Sequence, residues 1–256
     1  MALKSISDIL RARLWDAVYS RVEIEMRKEA MRIDLGTTWR QLFRVYSVKR
    51  LGRFADSVGR KRDNLVDAMR PVFELGRYEE VLGLVEWLAR NCKDLTLARS
   101  FARIMEEERC AYRLLEGAVV PISSEEEGRA IYAALDAMHR PGLGGARVHL
   151  LKAGSSLTAG EYADSVRESI HAVESVARSL TGEASLLKAL TEISKGHPMH
   201  PALRSGFNSI YGYTSDANGI RHPMIGDEAA MVGEAEAIFM LSSCAAFVTY
   251  LINVTN

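Results

Sequence analysis

Residues 162–182 have the sequence YADSVRESIHAVESVARSLTG, and their apolar spacing predicts an amphipathic helix that runs from Ala159 to Leu180. The apolar positions recur every three or four residues, which is the period of one face of an α-helix. They are Ala163, Val166, Ile170, Val173, Ala177 and Leu180. We therefore expect this helix to pack its apolar stripe against the core of a helical bundle.

A second, polar stripe follows one residue further along the same predicted helix, about 100° around its axis. It consists of Arg167, His171, Glu174 and Arg178. One interpretation is an exposed helix edge, stabilised by i,i+3 and i,i+4 pairs worth about 0.2–0.5 kcal/mol each. The other is the edge of a functional site, where Glu174 orients a base on another helix. Both interpretations remain open at the level of sequence.

Helical periodicity extends over most of the chain. Further helices are predicted at residues 6–22, 78–91, 94–108, 146–153, 186–193, 202–213 and 227–253, with others after Thr37 and Ser124. The helix over residues 146–153 is expected to stop at Gly154, because glycine favours helix ends. Two short apolar runs around Glu116-Gly117 predict a β-hairpin within residues 112–123.

A glycine-rich linker, RPGLGG at residues 140–145, is the clearest break between helical segments. It divides the chain into predicted modules at residues 1–140 and 146–256. The sequence therefore predicts an all-α protein, built from two helical-bundle modules with one small β-hairpin near residues 112–123.

The 256 residues have zero formal net charge, but the charge is unevenly distributed. Residues 1–113 contain 23 basic and 17 acidic residues, a net charge of +6, and residues 114–256 balance this with −6. Residues 40–70 alone contain nine basic and three acidic residues, again +6. Such a segment can contact a phosphate backbone, or it can be a solvated helix face.

The chain has three widely spaced cysteines, Cys92, Cys110 and Cys244. This pattern indicates neither a disulfide framework nor a zinc site, and it suits a reducing cytoplasm. The N-terminus lacks the uninterrupted apolar core of a signal peptide. The most apolar stretch, residues 237–252, is shorter than the roughly 20 residues that cross a bilayer. We expect a buried helix there, and a cytoplasmic protein without membrane contact.

The loop TSDANGIRHP, residues 214–223, places Arg221 and His222 side by side before the last predicted helix. Histidine can move protons near neutral pH and arginine can hold a phosphate bidentately, so this pair suits RNA cleavage without a metal. The alternative is a loop whose side chains cap backbone groups.

His197 and His200 lie in a proline-rich loop without a neighbouring carboxylate or cysteine, so no metal site is predicted. No nucleotide-binding motif is present, so no cofactor is expected.

Several stretches together resemble abortive-infection proteins of the AbiJ type. The second half is similar to their C-terminal HEPN-like domain, on YADSVRESIHAVESVARSLTG (162–182), HPALRSGFNSIYGYTSDANGIRHP (200–223) and EAEAIFMLSSCAAFVTYLI (234–252). The first half is similar to the helical N-terminal domain often paired with it, on LRARLWDAV (10–18), VLGLVEWLAR (81–90) and YRLLEGAVVPISSEEE (112–127).

The resemblance implies a role in bacterial defence against phage, a helical domain that dimerises, and a metal-independent endoribonuclease activity. The resemblance matches His222 to the catalytic histidine, and together with the residue pattern we expect His222, Arg221, Glu174 and Asp216 to be catalytic. It implies Arg167, His171, Arg178 and Asn218 as residues that bind RNA. The usual motif has four to six residues between an Arg and the His, and the positions at this spacing before His222 are Ser215, Asp216 and Ala217, none of them an Arg. In a catalytic domain, the missing arginine would be replaced by Arg221, Arg167 or Arg178. Alternatively, the domain is a non-catalytic RNA-binding or protein-interaction module, or a dimeric scaffold.

Overall fold

The structure is a computed structural model that describes residues 3–30, 33–92, 94–122, 124–216 and 232–255. It is 73% helical, with 11 helices and a two-stranded antiparallel hairpin in the described residues. The helices are α1 (Asp8–Lys28), α2 (Thr37–Lys49), α3 (Arg62–Leu75), α4 (Tyr78–Asn91), α5 (Leu95–Glu107), α6 (Glu125–Ala137), α7 (Gly144–Ala159), α8 (Tyr162–Thr181), α9 (Leu186–Gly196), α10 (Pro201–Asp216) and α11 (Glu234–Val254). The predicted all-α class with one small hairpin is confirmed.

The chain divides into two compact units, Met1–Val119 and Val120–Asn256. The predicted modules were residues 1–140 and 146–256, so the two divisions differ in where they place α6. This helix packs on α11 and so lies within the second unit. The predicted linker corresponds to the short connection between α6 and α7.

In the first unit, α1 presents one continuous apolar stripe and packs against α3 and α5. Its buried side chains are Leu10, Leu14, Val18, Val22 and Met26. The helix begins after Ser7, whose hydroxyl oxygen accepts a hydrogen bond from the backbone N–H of Leu10 at 3.1 Å. This N-cap gives a partner to one of the backbone donors that every helix start leaves without an intrahelical acceptor.

The hairpin consists of β1 (Tyr112–Leu115) and β2 (Ala118–Pro121). Its two turn residues, Glu116 and Gly117, have φ angles of 50° and 79°. Positive φ at both central residues gives the turn the twist that a two-residue hairpin needs. The predicted hairpin and its Glu116-Gly117 turn are therefore both confirmed.

The second unit is built around a pair of long helices, α7 and α8, with α11 packed on α8, α7 and α6. The central part of the apolar stripe predicted for α8 lies in the core, since Val166, Ile170, Val173 and Ala177 are buried, whereas Ala163 is half-buried and Leu180 is exposed. α9 and α10 also pack against α8.

The predicted stop at Gly154 is wrong, because α7 continues through this glycine to Ala159. Gly154 serves close packing: a Cβ atom built on it would lie 2.6 Å from a side-chain methyl of Val120. The residue that ends α7 is Gly160, with a left-handed φ of 79° that glycine adopts without strain.

Within the described residues, α11 is long and apolar enough to cross a membrane by length and composition. A core helix of a soluble protein satisfies the same two criteria, and 50% of its most apolar window is buried inside the protein. The expectation of no membrane contact stays a prediction.

Candidate functional site

Four polar side chains of the second unit meet where α7 packs on α8. His149 and Lys152 are three residues apart on α7, and Glu168 and His171 are three residues apart on α8. Residues at this spacing lie on one face of a helix, so each helix presents a pair of functional groups to the other. We call these four residues the His149–His171 cluster.

Glu168 is the centre of this cluster. It is only 4% exposed, yet both of its carboxylate oxygens have partners on α7. Oε2 lies 2.7 Å from Nδ1 of His149, and Oε1 accepts a hydrogen bond from the ammonium group of Lys152 at 2.5 Å. A buried carboxylate is stable only when it is paired in this way, because burial without a partner costs several kcal/mol.

Burial of Glu168 raises the pKa of its carboxyl group, whereas the hydrogen bonds from Lys152 and His149 lower it. The hydrogen bonds outweigh burial, and the pKa of Glu168 lies below its ordinary value of 4.5. The carboxylate is therefore ionised at neutral pH and acts as an acceptor toward both partners.

The carboxylate also fixes the orientation of His149. When Nδ1 donates to Glu168, the neutral imidazole has its proton on Nδ1, and Nε2 is left as the nitrogen that can accept a proton. The ring of His149 lies edge-on to that of His171, with centroids 5.3 Å apart and an interplanar angle of 72°. The site therefore brings together two proton-transfer groups, an ammonium cation and one orienting carboxylate.

The same residues have the composition of a metal site. His149, Glu168 and His171 each offer one ligand atom, and these atoms lie within 4.8 Å of one another. Two histidines and a carboxylate are a ligand set that zinc uses in catalytic sites. The histidines considered for a metal from sequence are placed elsewhere: His197 ends α9, and Nδ1 of His200 accepts a hydrogen bond from Ala202 N–H at 3.2 Å.

The members of the polar stripe predicted on α8 have contacts with different residues. His171 belongs to the cluster, whereas Arg167 forms an ion pair with Asp164 one turn earlier on the same helix. Arg178 donates to the backbone carbonyl of Ala184 at 3.3 Å, near the end of the helix.

Glu174 lies on α8, and the role considered for it, that of orienting a base on another helix, stays a prediction. Its Oε1 accepts a hydrogen bond from the Tyr211 hydroxyl of α10 at 3.0 Å. The carboxylate that orients a histidine on another helix is Glu168, six residues earlier on α8.

Three residues of the predicted loop site, Asn218, Arg221 and His222, lie outside the described residues. Asp216 is the last residue of α10, and its side chain is likewise outside the description. Their assignment to a catalytic or RNA-binding role therefore stays a prediction.

Sequence reasoning missed His149, Lys152 and Glu168 as site residues. A local signal existed, because His149 and Lys152 have i,i+3 spacing on one helix and Glu168 and His171 repeat that spacing on the next. The sequence does not show how the two helices are aligned along their axes. This alignment decides whether the pair on α7 lies opposite the pair on α8.

The fold and the site together define an all-α protein of two units. Its second unit contains two adjacent histidines, His149 and His171, and His149 is paired with the buried carboxylate of Glu168. A family model, AbiJ N-terminal domain 4, matches residues 1–137. This match covers more than half of the chain, so the chain belongs to that family and is an AbiJ-type protein. The family indicates a role in abortive infection, a form of defence against phage. Comparisons with curated proteins and with solved structures gave no significant match.

Proposed function

We propose that the second unit is a HEPN-like domain and a metal-independent endoribonuclease, through which this AbiJ-type protein acts in phage defence. The observation that supports this proposal is the contact between His149 and His171, two proton-transfer groups with ring centroids 5.3 Å apart. RNA contains its own nucleophile, the 2′-OH, so cleavage needs a base, an acid and a cation but no cofactor.

In the proposed reaction, Nε2 of His149 removes the proton of the 2′-OH. The 2′-oxygen then forms a bond to phosphorus as the bond between phosphorus and the 5′-oxygen breaks. Protonated His171 gives its proton to the departing 5′-oxygen. The products are a 2′,3′-cyclic phosphate and a 5′-hydroxyl end, and the two histidines finish with their protonation states exchanged.

Lys152 and Glu168 support this step in different ways. The ammonium group of Lys152 has three N–H donors, of which one is used by Glu168, and the others can stabilise charge on the phosphate. Glu168 touches neither the RNA nor the reacting atoms in this scheme. It is a positioning residue, because it holds His149 in the tautomer that leaves Nε2 as the base.

The test is cleavage of total bacterial RNA in EDTA by the full chain and by single variants. We expect His149→Ala and His171→Ala each to slow cleavage by at least about 100-fold, because general acid–base catalysis contributes about 10²–10⁴. His197→Ala is the matched control, because His197 belongs to the same unit and is not part of the cluster. His222→Ala tests the loop histidine in the same assay.

Each outcome selects one assignment. Loss of cleavage in the His149 and His171 variants, with activity in His197→Ala, supports the cluster as the active site. Loss only in His222→Ala moves the site to the loop. Cleavage that stops in EDTA contradicts the metal-independent mechanism and favours metal binding by His149, Glu168 and His171. No cleavage by the wild type favours a non-catalytic RNA-binding module or scaffold.

We also propose that the protein is cytoplasmic and forms a homodimer through its second unit. Among the large apolar residues of α11, Met240 and Phe247 are buried in the core. Phe247 stacks on Phe207 of α10. Phe239 is 57% exposed and is the residue of this helix most available to a second copy of the chain.

A further inference from the structure

A cleft in the first unit is lined by three arginine side chains. It has a volume of about 590 Å³ and lies between α2 and the segment that precedes α3. Arg40 and Arg44 are one helical turn apart on α2, and Arg60 lies just before α3. Asp56 is the acidic residue of the lining, so three arginines against one aspartate leave a net charge of +2.

These three guanidinium groups have no hydrogen bond or ion pair with any described residue. Two like charges at i,i+4 on a helix destabilise it by about 0.2–0.5 kcal/mol. Some other arginines of this unit are paired, as Arg21 is with Asp94 and Arg62 with Glu23. The cleft therefore concentrates positive charge that the described part of the protein does not neutralise, which suits an anionic ligand.

The first backbone N–H groups of α2 are not available to bind an anion in this cleft. The backbone N–H of Thr37 already donates to Glu29 at 3.0 Å, and that of Thr38 donates to Glu25 at 2.7 Å. A ligand in the cleft would therefore be recognised by the arginine side chains. Guanidinium groups bind phosphate bidentately and remain charged at all physiological pH values.

Phe54, an exposed aromatic residue, immediately precedes two residues of the cleft lining in the chain. Phe54 is 82% exposed, which is unusual for so large an apolar side chain. Its backbone carbonyl accepts hydrogen bonds from the N–H and the hydroxyl of Ser57, at 3.0 and 2.8 Å, and so closes a turn. The two residues inside this turn, Ala55 and Asp56, line the cleft. A basic groove with an exposed aromatic residue is the pattern by which proteins bind single-stranded nucleic acid.

We propose that this cleft binds single-stranded nucleic acid, with its phosphates on Arg40, Arg44 and Arg60 and a base stacked on Phe54. The volume exceeds that of a single phosphate and lies within the usual range of ligand sites. The inference does not depend on cleavage by the second unit, because none of these residues belongs to the His149–His171 cluster. A free nucleotide has the same phosphate chemistry and is a separate arm of the test.

Binding is measured with the full chain and a short fluorescein-labelled 2′-O-methyl oligouridylate, by fluorescence anisotropy over a range of NaCl concentrations. This probe lacks the 2′-OH, so the proposed cleavage cannot affect the result. Arg44→Gln removes one phosphate contact and is expected to make the log–log salt slope shallower by about 0.7. Arg99→Gln is its matched control, an exposed helical arginine outside the cleft that has no partner among the described residues.

The stacking contact has its own pair of variants. Phe54→Ala is expected to weaken binding by at least about fivefold, because base–aromatic stacking contributes about 1–3 kcal/mol per base. Leu75→Ala is the control, since Leu75 is also 82% exposed and in the same unit. Its affinity is expected to equal that of the wild type.

Two results would overturn the proposal. One is that Arg44→Gln and Phe54→Ala both bind the oligonucleotide with the affinity of the wild type, while circular dichroism shows that both variants are folded. The other is competition by UMP as effective as competition by the unlabelled oligonucleotide, which would assign the cleft to a free nucleotide. Selective weakening by the cleft variants, with weak competition by UMP, supports it.

Discussion

At the scale of single residues, the histidine pair depends on the charge of Glu168. The carboxylate has hydrogen bonds to two different side chains of α7, and neither bond forms with the same strength to a neutral amide. In the proposed reaction the roles of the site residues therefore differ: His149 and His171 would move protons, and Glu168 would determine where the proton of His149 lies.

Replacement of Glu168 by Gln tests this dependence. We expect the variant to lose about 1–3 kcal/mol of unfolding free energy, because a buried hydrogen-bond acceptor loses its charge. Urea denaturation measures the change. The control is Glu192→Gln, whose carboxylate pairs with Lys195 at the same distance of 2.5 Å but is exposed. We expect this control to stay within about 0.5 kcal/mol of the wild type, and an equal loss in both would contradict the structural role of Glu168.

The lowered pKa of Glu168 predicts a pH dependence with a definite sign. A carboxyl group whose pKa is lower in the folded state stabilises the fold above its unfolded pKa, near 4.5, and loses this effect as the pH falls through the folded value. The stability difference between wild type and Glu168→Gln should therefore be constant at neutral pH and decrease below about pH 4.5. Urea denaturation over a pH series measures it, and an unchanged difference in acid would contradict the prediction.

At the scale of elements, two helical glycines have opposite roles. Gly154 lies in the interior of α7 against Val120, where a Cβ atom would approach a methyl group to 2.6 Å. Gly83 lies in the interior of α4, and a Cβ atom there would meet nothing within 4 Å. Glycine costs a helix about 1 kcal/mol relative to alanine, so the sign of each Gly→Ala change depends on this space.

We expect Gly83→Ala to stabilise the protein by about 0.5–1 kcal/mol and Gly154→Ala to destabilise it by about 1–3 kcal/mol. Thermal and urea denaturation of both variants give the comparison. A second change, Val120→Ala, removes the two methyl groups and should recover part of the loss in the Gly154 variant. Stabilisation by both alanines would show that the space beside Gly154 is larger than the structure indicates.

The elements also show how far sequence reasoning extends. Residues 78–91 were predicted as a helix and form α4 with the same bounds, because the apolar period and the turn residues around it agree. Gly154 was misassigned as a helix end, since glycine favours both termini and close packing and only the tertiary contact with Val120 decides between them. For the site, the α8 stripe could be predicted, but its partners on α7 could not, because pairing between helices is not encoded locally.

At the scale of the whole molecule, the predicted dimer can be tested on the exposed part of α11. Phe239→Asp is expected to shift the protein toward monomer in analytical ultracentrifugation, because a charge in an apolar interface is costly to bury. Leu187→Asp on α9 is the matched control, with an exposure of 56% against 57% for Phe239. A wild-type protein that is monomeric, or a shift of equal size in both variants, would contradict an interface at Phe239.

The double hydrogen bonding of Glu168 has a mechanical consequence. His149 and Lys152 are three residues apart, so their bonds to one carboxylate fix how far α7 is displaced along α8. A slide by a single residue is about 1.5 Å, which is enough to break both bonds together. The ion pair thus sets the axial alignment of the two helices, and the alignment in turn sets the spacing of the two imidazoles. Any force that moves α7 lengthwise would disassemble the site before it unfolds the bundle.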